Sequence, residues 1–383
     1  MKTKNRALFI DLLRALALIV MIEVHVINEL LNHELKAGGW FTALNFINGL
    51  VAPSFLFVSG LVFVLSLQKG TDELKKFGTT FWKKVSRIGM ILLAGYSLHT
   101  PYFSLNKLII HWSLLAEKQL FVVDILQCIG IGLLILLLAR TLLKTDKAFY
   151  LFITIALGVV LIASPIFWKI DFNSFLPIPL ASYFNPANGS LFPVFPWFNF
   201  LFAGAITAKF YIDYRDKNSE KEFARKLIMI GSGFFVAGWT MLELLPRHNA
   251  EIIKPHPIFF LQRLGVVLFL LGACWFYVNR KENYKSFMMD VSRESLLVYW
   301  FHLQLIYRKI FVGKSLVELY GDQLNVYWCI LVTIGISIVM IYFAKLWGWI
   351  KRNHPPISKK IVFAFLTISL VMFLLNGYFY FDF

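Results

Sequence analysis

The chain has 383 residues, 58% hydrophobic and 17% aromatic, with only 16% charged. A soluble domain carries about 25% charged residues. The deficit here, a mean hydropathy of +0.67 and apolar runs of about 20 residues exclude a soluble globular protein, and no dyad alternation supports an outer-membrane barrel.

Eleven apolar blocks predict an all-α, polytopic membrane bundle with spans at 7–29, 42–67, 80–99, 121–142, 147–167, 193–212, 226–245, 258–278, 292–312, 324–347 and 360–380. Basic residues precede the first block, as in a signal peptide. Asp11 and Arg14 interrupt it, however, and no small-residue cleavage site follows, so it reads as a retained span. The 38 Lys and Arg against 22 Asp and Glu give +16. That excess falls in short connections, 27 residues on one side and nine on the other, which predicts a cytoplasmic N-terminus and an external C-terminus and argues against a nucleic-acid partner. Two outer connections are longer, 100–120 and 168–192. Pro177, Pro179, Pro186, Asn188 and Gly189 make the second a predicted lid or re-entrant cap. Cys128, Cys274 and Cys329 lie in apolar segments without metal-like spacing, so neither a disulfide framework nor a metal site is expected.

The first span holds the most informative residues. Arg14 and His25 are eleven positions apart, which returns a helix to within roughly 20° of the same face, with a rise of about 16 Å. Asp11 is three residues before Arg14 and can pair with it. An intramembrane Arg costs about 2.5–3.5 kcal/mol on insertion scales, so a partner or a function is expected. A packing clamp with a satisfied interfacial histidine is the competing reading. Glu23 points roughly 200° away from His25. Asn45, Asn48, Asp124, Gln127 and Arg263 are at suitable depth to meet that imidazole. The segment around Asp124 and Gln127 is echoed near Gln262 and Arg263. Lys84 and Arg87 open the third span, as topology anchors or as a dock for a phosphate-bearing cofactor. His302 sits halfway along the ninth span, where an imidazole marks a cavity or a bundle-stabilising hydrogen bond.

These residues also carry a resemblance. Ile10 to Ala17 with His25, Ala52 to Gly60, Val123 to Gly130, Pro196 to Phe200 and Ser292 to His302 resemble the transmembrane acyltransferase superfamily. Within it, they are most similar to the heparan-α-glucosaminide N-acetyltransferase-like branch, with acyltransferase 3 a relative. The resemblance implies a single membrane-embedded domain over 1–383, with a ten-helix core to which span 360–380 is an addition. It implies transfer of an acyl, typically acetyl, group from cytoplasmic acetyl-CoA to a sugar or glycan on the other side of a bacterial cytoplasmic membrane, with a homodimer left open. His25 then maps to the catalytic histidine. Two departures stand out: Lys84 replaces an Arg in the basic pair, and Asn48-Gly49 replaces an Asp ahead of the second-span Pro.

Taken together, the expected catalytic group is His25, Asp124, Gln127 and Arg263, and the expected donor-binding group is Asp11, Arg14, Lys84, Arg87 and His302. Imidazole suits a general base because its pKa of about 6.5 lies near working pH. An acyl-imidazole intermediate is a second route. A transporter or flippase without covalent chemistry accounts for the same spans, but it predicts matching inverted halves that the sequence does not display. A purely structural scaffold leaves Asp11, Arg14 and His25 on one face unexplained.

Overall fold

In lipid every backbone N–H and C=O must be satisfied within its own segment, so apolar runs of this length fold as helices. The computed structural model, which describes residues 7–68, 71–244, 253–280, 286–309, 311 and 313–376, is built of helices. Of the basic residues behind the expected orientation, Lys2, Lys4, Arg6, Lys69, Arg247, Lys281 and Lys285 lie outside the described residues. The main helices are α1 (Leu8–Leu30), α2 (Gly39–Asn48), α3 (Val51–Leu67), α4 (Thr79–His99), α5 (Ile125–Leu142), α6 (Asp146–Phe167), α7 (Val194–Asp216), α8 (Glu220–Leu244), α9 (Pro257–Asn279), α10 (Met288–Arg293), α11 (Ser295–Tyr307), α12 (Val326–Asn353) and α13 (Pro355–Leu375).

Among the described residues, seven segments are long and apolar enough to cross a membrane: α2 with α3, then α5, α6, α8, α9, α12 and α13. The other expected spans fall on α1, α4, α7 and α11. The first three are 21 to 23 residues long but carry ionisable side chains. α11 has 13 residues, a rise of about 20 Å against a hydrocarbon core of about 30 Å. Its start is delayed by Glu294, whose carboxylate receives Lys351 Nζ at 2.9 and 3.0 Å and separates α10 from α11. The expected second span is likewise broken at Gly49-Leu50. It restarts with Pro53 in the first turn of α3, where a missing N–H leaves no helical bond unmade.

The chain divides into two compact units. The first comprises Met1–Leu13, Ala52–Ser97 and Phe121–Tyr284. Within it, α8 and α9 form a close antiparallel pair: a Cβ on Gly265 would come 2.7 Å from the Gly231 carbonyl, so only small residues let these backbones meet. Gly60 on α3 and Gly204 on α7 serve the same purpose, each facing a carbonyl of the other helix, Leu201 and Phe57. Segment 168–192 is folded onto this unit. Asn185 Nδ2 donates to the carbonyls of Phe167 and Ile170 at 3.2 and 2.7 Å, and the N–H groups of Leu191 and Phe192 donate to Val123 O. Phe172 and Phe184 stack with centroids 4.6 Å apart, beside Phe167 and Phe195. These rings spend their faces on one another.

The second unit comprises Arg14–Val51, Leu98–Leu120 and Lys285–Phe383. Here the C-terminal end of α1 is tied to the loop before α12. Asn32 N–H donates to Leu324 O, Leu324 N–H to Leu30 O and Asp322 N–H to Glu29 O, at 2.8, 2.8 and 3.0 Å. Lys36 Nζ adds a 2.6 Å ion pair to Asp322 and a 2.7 Å bond to Asn28 O. α12 is met by Phe301 of α11 at Phe343, and α13 by Trp300 at Phe365. Asn376 closes the unit, donating to Phe103 O at 2.7 Å and accepting from Ser104 Oγ.

Candidate functional site

α1 is unbroken from Leu8 to Leu30, so the spacing expected between Arg14 and His25 holds along one helix, with Asp11 buried one turn before Arg14. His25 and Glu29 are four residues apart and share a face. Tyr307, the last residue of α11, meets both. Its hydroxyl lies 3.0 Å from His25 Nδ1 and donates to Glu29 Oε1 at 3.1 Å. The His302 ring lies against His25 with centroids 5.4 Å apart. It is fully buried, its Nδ1 is 2.8 Å from Val298 O of its own helix, and Nε2 has no hydrogen-bond partner among the described residues. A backbone carbonyl only accepts, so His302 carries its proton on Nδ1 and its lone pair on Nε2. Glu23 faces away from His25, as its helical position requires, and lies beside Asn48.

The first unit holds the other expected residues. Lys84 and Arg87 lie one turn apart on α4. Lys84 Nζ donates to Ser66 Oγ at 2.8 Å and sits over the Phe63 ring, while Arg87 is exposed. Asp124 caps α5, its carboxylate accepting the Ile125 N–H at 2.7 Å. On the first turn of that helix Gln127 is fully buried, and neither end of its amide has a partner among the described residues. Gly95 makes the room for it, since a Cβ there would lie 2.8 Å from Gln127 Oε1. Arg263 on α9 lies over the Phe259 ring at 5.5 Å, and Gln262 is buried against Gly238. The expected catalytic group thus includes one buried amide whose hydrogen-bonding capacity is unused among the described residues, a costly arrangement that a polar ligand would relieve.

Within the second unit, then, the structure joins His25 to His302. Within the first, it puts Lys84 with Arg87 and Asp124 with Gln127. Sequence reasoning missed Glu29 and Tyr307. The four-residue spacing from His25 is a signal for Glu29, whereas Tyr307, 282 positions from His25, has none. Cys128, Cys274 and Cys329 are free and buried. Residues 6–236 match the family model described as heparan-alpha-glucosaminide N-acetyltransferase, catalytic. That stretch contains Asp11, Arg14, His25, Lys84, Arg87, Asp124 and Gln127, while Arg263 and His302 lie beyond it. No curated protein matches the chain.

Proposed function

The chain belongs to the heparan-alpha-glucosaminide N-acetyltransferase catalytic family, and from that membership we propose that it transfers an acetyl group from cytoplasmic acetyl-CoA to a sugar or glycan on the opposite side of the membrane. The observation that carries this reading is the imidazole of His25. It lies on the first helix, inside the stretch matched to the family, and is held by a hydroxyl and a second imidazole. The reading keeps eleven crossings, a cytoplasmic N-terminus and an external C-terminus, in a bacterial cytoplasmic membrane.

His25 acts as the general base. The acceptor's amine or hydroxyl attacks the thioester carbonyl and its proton passes to His25. Collapse of the tetrahedral intermediate breaks the C–S bond, and the same proton leaves with the CoA sulfur. Such a base contributes about 10²–10⁴-fold. Gln127 and Arg263 are the proposed donors to the oxyanion, and Asp124 positions Gln127 by capping α5. Lys84 and Arg87, with Arg14 supported by Asp11, receive the phosphates of the donor, where cations on a cytoplasmic face suit a charged nucleotide. His302, its Nε2 lone pair unused, accepts from an amide N–H of the pantetheine arm.

The test is His25→Ala in proteoliposomes, read as thiol release from acetyl-CoA. Turnover should fall by about 10²–10⁴-fold or more with the thermal midpoint unchanged. Near-normal turnover would remove His25 from the mechanism.

A further inference from the structure

We propose that Tyr307 and Glu29 are positioning residues for His25, acting as a carboxylate–hydroxyl–imidazole relay that selects which ring nitrogen receives the acceptor's proton. The inference rests on the reading of His25 as the base. A phenolic hydroxyl has one proton to give, and an ionised carboxylate can only accept. Tyr307 therefore donates to Glu29 (3.1 Å), and its oxygen accepts the proton on His25 Nδ1 (3.0 Å). The lone pair of His25 is thereby placed on Nε2. When Nε2 takes the acceptor's proton, the imidazolium keeps its Nδ1–H on Tyr307. The Glu29 charge stabilises it two hydrogen bonds away, as the carboxylate of a serine-protease triad does for its histidine. The proton then leaves from Nε2 to the thiolate, so the relay itself gains and loses none.

Two features set this arrangement apart from incidental polar contact. Glu29 is held at both levels: its side chain shares a helix face with His25, and its carbonyl accepts the Asp322 N–H at 3.0 Å. His302, the other imidazole at the site, spends Nδ1 on the Val298 carbonyl of its own helix and so has no carboxylate behind it. His302 and Tyr307 from α11 thus lie against His25, and the Tyr307 hydroxyl links it to the carboxylate of Glu29 on α1. Tyr307 is 40% exposed, so removing its hydroxyl leaves packing largely intact.

The full-length protein in proteoliposomes, supplied with acetyl-CoA and with glucosamine as acceptor, tests the relay. Tyr307→Phe and Glu29→Gln should each lower kcat about 10–100-fold, less than the loss of the base itself, and leave KM for acetyl-CoA within about twofold. Glu29→Asp should recover part of the loss. In ¹⁵N-histidine NMR the neutral His25 of the wild type should carry its proton on Nδ1, and Tyr307→Phe should shift it toward Nε2. An unchanged kcat in both variants, or a proton on Nε2 in the wild type, overturns the relay. If His25→Ala is inactive while both relay variants turn over normally, the relay alone falls. If His25→Ala itself turns over, the base reading falls first. A KM retained in Tyr307→Phe shows that the variant is folded, and Glu29→Gln, isosteric with the native side chain, repeats the test.

Discussion

The first and last helices of the protein reverse the rule that holds in water. α1 carries Asp11, Arg14, Glu23, His25 and Glu29, yet Asp11, Leu18, Val26 and Leu30 are all buried. α13 is almost wholly apolar, yet only 6% of its apolar stretch is buried, with Phe363 at 73% exposed. In lipid an apolar side chain gains nothing by turning inward, whereas a polar one must do so to find partners. Between these two helices burial follows polarity, and the one that looks least like a span is the more buried and carries the candidate base. α12, whose apolar stretch is only 17% buried, follows α13.

If that contrast is right, core packing should be felt on α1 and not on α13. Leu18→Ala, at a fully buried position, should cost about 2–5 kcal/mol in denaturant unfolding of the detergent-solubilised protein. A polar group kept for a ligand should tell on binding and not on stability. Lys84→Ala is expected to raise KM for acetyl-CoA about 10–150-fold, the loss of one charge-assisted hydrogen bond worth about 1.5–3 kcal/mol, with an unaltered melting temperature.

The end of α1 is also tethered by charge, where α13 shows no ion pair among the described residues. Lys36 bonds the Asp322 carboxylate and holds its pKa below the usual Asp range, and the Ser315 N–H does the same for Glu318. A carboxyl whose pKa is lower in the folded state adds stability that is complete above the unfolded value, about 4, and is lost as pH falls through the folded one. Between pH 6 and pH 3 the wild type should therefore lose a small increment of thermal stability that Asp322→Asn already lacks. The smallest effect should come from Phe363→Ala, within about 0.5 kcal/mol. A cost approaching that of Leu18→Ala would mean that α13 is covered by protein and not by lipid.

Much of the candidate site was legible in the sequence because helical periodicity is local: Asp11, Arg14 and His25 fall on one face whatever surrounds them, and the cations of Lys84 and Arg87 are one turn apart. Segment 168–192, expected as a lid or re-entrant cap, was legible as a distinct segment from its prolines and length, but the stacking of its rings on one another was not. The break at Gly49-Leu50 was not anticipated, although Asn48-Gly49 and Pro53 are local break signals within the apolar stretch. Asp124 shows the middle ground. Its position before an apolar run is an N-cap signal, and the structure gives it that task at Ile125.

Composition and spacing alone determined that this chain is a helical membrane protein with a polar first helix, because long unalternating apolar runs can satisfy their backbones in lipid only as helices and 3.6 residues per turn does the rest. Only the tertiary structure decided that Tyr307 closes the gap between His25 and Glu29, that His302 turns its bonded nitrogen to its own helix, and that Gln127 is buried without a partner among the described residues. Such contacts depend on how helices meet, and a hydrogen bond between residues 282 positions apart has no period to betray it.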